Sequence, residues 1–359
     1  MTTTMKHLLA LPAALFAAGA ILTTPAWAAN TVWQGDSTTD PNDWFDETNW
    51  SNGVPGLGDT ARFNNQSDTG LIVIDENDAT ISNLDPRNAP PSPLQFTTNT
   101  GQELILRGGI IGKTARFDFD LQVNLADLGS ARSVDMWFTN AGDGASSFDS
   151  GLNINNVSPT FRSSSFSDQS IVFTTPVTGS GSLTFEQPGN SSSTSTIEMN
   201  AANTYTGSTT IDDGDLVLSG SLSNSNITIG DDDATQLASL AGDSTSNGTL
   251  FFNIDGTNSD LITLNSDGTL DITDLNIDIE EAGAGATEAN YIIADYAAGT
   301  LTGSEFASVI DLPSGYAIDY DFNGNSQIAL TENFVIPEPG TLGLIAAGSV
   351  LLLGRRRRA

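Results

Sequence analysis

Asn203-Thr204-Tyr205-Thr206-Gly207-Ser208-Thr209-Thr210-Ile211-Asp212-Asp213-Gly214-Asp215-Leu216-Val217-Leu218 is the stretch on which the fold turns. Its last four residues, Asp215-Leu216-Val217-Leu218, are a short run of strand-forming type. Gly214 sits before them in a run of acids, where a turn belongs. The same texture extends in both directions. Leu71-Ile72-Val73-Ile74, Ile171-Val172-Phe173, Asn226-Ile227-Thr228-Ile229 and Thr249-Leu250-Phe251-Phe252 are short runs of strand-forming residues bounded by Gly, Asn or Asp. Few segments show a helical period, so the body reads as all-β.

One phrase recurs at the head of these strands: Gly, one residue, Leu, one residue, then an apolar residue. It occurs at Gly181-Leu183-Phe185, Gly214-Leu216-Leu218, Gly248-Leu250-Phe252 and Gly268-Leu270-Ile272. The spacings, 33, 34 and 20 residues, fall in the range of a solenoid, where each turn covers its neighbour's apolar face. The reading is a β-solenoid over residues 66–335, with a β-sandwich as the alternative. If Tyr205, Ile211, Leu216 and Leu218 belong to one repeat, they contribute to a single stacked apolar column.

The segment from Asn203 to Leu218 resembles the autotransporter-associated β-strand repeat, a Tyr-Thr-Gly strand, a turn with Gly and a Leu-rich strand. Thr249 to Leu330 is similar to the end of such passenger regions, through Ser259-Asp260-Leu261, Tyr291-Ile292-Ile293 and Ile328-Ala329-Leu330. The resemblance implies a right-handed parallel β-helix. Where that family has an outer-membrane barrel, this sequence has a Pro-Glu-Pro segment, so self-translocation is not implied.

The two ends read as sorting signals. Lys6 and His7 precede the apolar run Leu8 to Leu22, and Ala26-Trp27-Ala28 supplies small residues for a signal peptidase. Residues 1–28 are therefore expected to leave through the Sec translocon, with cleavage between Ala28 and Ala29. At the other end, Pro337, Glu338 and Pro339 precede the apolar or small run Leu342 to Leu353, then Gly354 and the block Arg355, Arg356, Arg357, Arg358. The arginines stop transfer and stay cytoplasmic; the run is a short membrane helix. Residues 336–359 resemble the PEP-CTERM sorting signal. That resemblance implies recognition at Pro-Glu-Pro by an exosortase, transient inner-membrane anchoring of a precursor, and an exopolysaccharide-producing Gram-negative setting.

Between signal and body, residues 29–65 carry Trp33, Trp44 and Trp50, with Asn49 and the turn Gly53-Val54-Pro55. They resemble the cap that opens many secreted solenoids, whose end strands need cover. The competing use is an aromatic platform for neutral glycan.

Composition removes much chemistry. There is no Cys, and the single His, His7, lies in the expected signal peptide. Thiolate metal sites, Cys nucleophiles and His bases are excluded together. Without Lys6, the four terminal arginines and Glu338, 43 acids face 7 bases, and no base lies between Ser163 and Ile336. Such a surface repels nucleic acid.

Catalysis would have to use carboxylates, and Asp212, Asp213 and Asp215 are the best cluster for an Asp-based glycosidase or lyase. Asp319 to Gly324 and Asn265 to Asp271 resemble parts of calcium loops but lack ligands: Leu330 stands where a bidentate acid belongs. Asp231, Asp232 and Asp233 allow weak calcium binding; no other cofactor is indicated. The sequence therefore points to a non-enzymatic, exported structural or adhesive protein of the cell surface or matrix, associated with exopolysaccharide. A carbohydrate-active enzyme and a neutral-glycan module are the other classes.

Overall fold

The computed structural model describes residues 29–64, 70–86, 94–111, 116–125, 132–138, 145–163, 170–186, 196–223, 226–230 and 238–332. They form a parallel β-solenoid. Three sheets run along the stack, and the chain visits each in turn. The first sheet carries, among others, Thr60–Phe63, Val157–Ser163, Leu183–Glu186, Thr209–Ile211, Ile227–Ile229 and Ile262–Leu264. The second has ten strands, from Leu71–Val73 through Ser170–Phe173, Thr196–Met199 and Gly214–Leu218 to Thr300–Thr302. Short strands such as Ala202–Asn203 and Ser221–Leu222 build the third, which ends at Ser308–Ile310.

Strand alternation does the sorting. Leu216 and Leu218 are buried while Asp215 and Val217 are half-buried and face outward. In-register pairing then places like on like. Ile171, Ile197, Leu216, Leu240 and Leu270 form one inward column. Phe96, Phe119, Phe148 and Phe173 form the next, with ring centroids 5.4, 5.0 and 5.0 Å apart and rings within 26° of parallel. The column continues as Met199 and Leu218. Offset stacks of this kind add to the area they bury. Among the described residues, the buried apolar side chains apart from Ala329 join in one continuous core.

The structure corrects the expected column. Tyr205, Ile211, Leu216 and Leu218 are all buried, but Leu216 and Leu218 occupy neighbouring columns of the second sheet, Ile211 lies in the first, and Tyr205 fills the corner between strands. There its hydroxyl shares a 2.5 Å hydrogen bond with Thr209. The recurring Gly phrase does not mark one turn of the coil either. Leu183 lies in the first sheet, Leu216 and Leu270 in the second and Leu250 in the third. True pairing offsets are 19 residues from Ile197 to Leu216, 24 to Leu240 and 30 to Leu270. What the phrase marks is a corner. At Gly181 a Cβ would overlap the carbonyl oxygen of Val157 in the preceding turn, and Gly214 has φ +88°, a conformation that favours glycine.

Asn203 ties corners together across the stack. Buried, it accepts from the Val177 amide at 2.9 Å and donates to the carbonyls of Ala201 and Ser221 at 2.8 and 3.1 Å. A buried amide so satisfied pins three turns at once.

The ends differ. At the start, Asn30–Trp33 pairs in parallel with Thr60–Phe63. At the finish, Gln327–Glu332 runs antiparallel between Asn290–Asp295 and Tyr316–Asp321, and the three close the first sheet. Ser308–Ile310 is the outer strand of the third sheet, and Val309 and Ile310 are exposed.

Candidate functional site

Four places in the chain carry candidate chemistry, and geometry treats them differently. The three tryptophans at the start lie inside. Trp33 and Trp44 are 0% exposed and Trp50 is 3% exposed. Trp50 stands edge-on to both others with centroids 4.8 Å apart, and its indole N–H donates to the Trp44 carbonyl at 2.7 Å. Phe63 and Phe96 continue the cluster into the core. Asn49 organises the loop above: it accepts from the Ser37 amide and donates to the carbonyls of Asp40 and Asp43. Rings with no open face cannot stack on a sugar, so the aromatic-platform use of these residues is corrected.

The acids proposed as a catalytic cluster are separated by the corner at Gly214. Asp213 is buried, 4% exposed. Asp215 faces outward in the next strand and accepts from the Ser239 hydroxyl at 2.5 Å. They do not present one open pair of carboxylates to a substrate.

Each of the two segments compared with calcium loops joins a strand to a turn, through Tyr316–Asp321 and Gly268–Asp271. Asp319 to Gly324 links antiparallel strands, with Asn323 and Gly324 at positive φ and Asp319 accepting from the Asp321 amide at 3.0 Å. Asn265 donates to the Gly230 carbonyl at 2.7 Å, and Asp271 accepts from the Thr273 amide. Among the described residues no group of three or more acids is placed to hold a metal ion. Asp231, Asp232 and Asp233 lie outside the described residues, as do Ala28, Pro337, Glu338, Pro339 and Arg355 to Arg358. Among the described residues no helix is long and apolar enough to cross a membrane.

Two arrangements escaped the sequence reading. Arg162 bonds Asp135 at 3.0 Å and pairs with Glu186 in the strands on either side, its guanidinium 5.4 Å from the Trp137 ring. Only the register brings those four together. At the far end, a cleft of about 520 Å³ is lined by Tyr296, Leu301, Glu305, Ile318, Tyr320 and Asp321. Burial pushes both tyrosine hydroxyls above their ordinary range, with Asp321 and Asp319 adding to the effect at Tyr296 and Glu305 at Tyr320. Tyr296 donates to the Tyr320 carbonyl at 3.0 Å, which fixes the cleft wall. No spacing signal in the sequence links these tyrosines.

Comparison with known families finds one match. Residues 335–358 match the PEP-CTERM protein-sorting motif. Such a motif implies recognition by an exosortase and export through a membrane-anchored precursor. No curated protein and no solved structure matches the chain.

Proposed function

We propose that this chain is an exported structural or adhesive protein, released from its anchor by an exosortase and resident at the cell surface or in an extracellular matrix beside exopolysaccharide. The observation that carries the reading is the order of parts: a rigid, strongly acidic parallel solenoid leads directly into a sorting motif at 335–358. A stack whose turns contact mainly their neighbours makes a long, stiff, soluble body. Its net charge keeps copies apart and resists collapse onto polyanions. In this reading the surface serves by shape and charge, and the protein performs no catalysis. The signal peptide is removed after Ala28, and residues 29–65 cap the first turn.

The test is made in cells. Replacing Glu338 by Ala removes the one charge of the recognition element, and full-length protein is expected to accumulate in the inner membrane while release falls. Release of the Glu338→Ala chain at the wild-type level, with the same C-terminus, would overturn the assignment of Pro337-Glu338-Pro339 as the processing signal.

A further inference from the structure

The outward side of the first sheet repeats one residue type in register. Thr160 pairs with Thr184, Thr184 with Thr210, Thr210 with Thr228, and Thr228 with Thr263. Five successive strands thus present threonine at the same register position. Parallel strands repeat at about 4.8 Å, so the ladder is a straight row roughly 19 Å long. Two residues earlier in the strands stands a second row, Ser158, Ser182 and Ser208. Here the amides of Ser182 and Ser208 donate to the preceding serine hydroxyl at 3.1 Å, and the Ser182 and Ser208 hydroxyls bond at 3.2 Å. These bonds hold the grid rigid along the stack.

The threonines themselves are uncommitted. Among the described residues none of the five hydroxyls bonds to another protein group. Four are half-buried, and Thr160, at the end of the row, is more enclosed at 9% exposed. The row itself holds neither charge nor aromatic ring between Thr160 and Thr263, while two residues further along the same strands Arg162 pairs with Glu186 beside Trp137. Asp135 and Asp295 continue the register at its two ends. On a chain with 43 acids outside its terminal signals, the row is a neutral strip one residue wide.

We propose that the Thr160–Thr184–Thr210–Thr228–Thr263 ladder is an ice-binding face. Threonine is stiff about χ1, so methyl and hydroxyl repeat in step with the strands. The methyls restrict the water over them, and the hydroxyls anchor waters by hydrogen bonds. The first water layer then takes the repeat of the sheet, and hexagonal ice repeats its oxygens at a closely similar interval. Each turn contributes a weak contact, and a rigid row engages them together. A single glycan chain is a poorer occupant, because sugar sites are concave and commonly aromatic.

The experiment is ice recrystallisation by the full chain in detergent, with detergent alone as the blank. Wild type is expected to inhibit crystal growth. Thr210→Tyr, which lifts a ring out of the row, should lose inhibition, and Thr196→Tyr on the second sheet should keep it. Thr184→Lys repeats the test should the first variant melt early. Absence of inhibition by wild type overturns the proposal. So does equal inhibition by a folded Thr210→Tyr, or loss of retention on a neutral polysaccharide in that variant with ice growth unchanged.

Discussion

At the residue scale, Leu216 shows what the sequence makes plain. It follows a turn, it alternates with outward neighbours, and it is 0% exposed between Ile197 and Leu240. Leu216→Ala leaves a cavity that two stacked neighbours cannot fill, at a cost of about 2–5 kcal/mol. Val217→Ala, on the outside of the same strand, should stay within about 0.5 kcal/mol. Denaturant unfolding of both variants measures the contrast, and equal effects would deny the inward assignment. Ala29 offers a second case. Its amide nitrogen lies 2.8 Å from Asp59 Oδ1. Were the expected cleavage after Ala28 to occur, that nitrogen would become a charged amine and the hydrogen bond an ion pair. The site is partly exposed, so the pair contributes about 1 kcal/mol at most. Asp59→Asn is therefore expected to lower the melting temperature of a chain starting at Ala29 more than that of one that retains Ala28. Equal shifts would show that the charge is not felt there.

At the scale of elements, strands were legible and their stacking was not. Alternation and turn formers mark Ile171 to Phe173 or Ile227 to Ile229 without help. The turn of the coil is invisible for a physical reason: the Gly-x-Leu-x-apolar phrase is demanded by any corner where backbones approach closely, and corners occur on every side. Its 33-residue spacing from Gly181 to Gly214 therefore joins a strand of the first sheet to one of the second. Variable loops hide the rest, since pairing offsets range from 19 to 30 within three consecutive turns. The threonine ladder was unread for the same cause. Each threonine alone is an ordinary outward strand residue, and only register makes five of them a row. For Asp213 and Asp215, closeness in sequence counts for little, because the corner at Gly214 puts one inside and the other on the outward face. Residues 335–358 were the readable extreme, a signal that works as sequence rather than as fold.

At the scale of the molecule, charge and topology make separate claims. From Ser163 to Ile336 there are 25 carboxylates and no base. Their repulsion reaches farther in dilute salt, over about 30 Å at 0.01 M against about 8 Å at 0.15 M. The melting temperature should therefore rise across that interval, and indifference to salt would mean that the acids are well separated on the surface. Topology is the deeper claim, and cross-linking tests it most directly, since the chain has no native cysteine. Thr184 and Thr210 are paired in adjacent parallel strands, 26 residues apart. Strands spaced about 4.8 Å apart lie within the Cα separation a disulfide spans. Oxidation of a Thr184→Cys, Thr210→Cys chain is expected to form an intramolecular disulfide. A Thr184→Cys, Thr269→Cys chain, with its cysteines in different sheets, should form none. Failure of the first pair to close in a folded chain, or equal closure of both, would contradict the parallel solenoid.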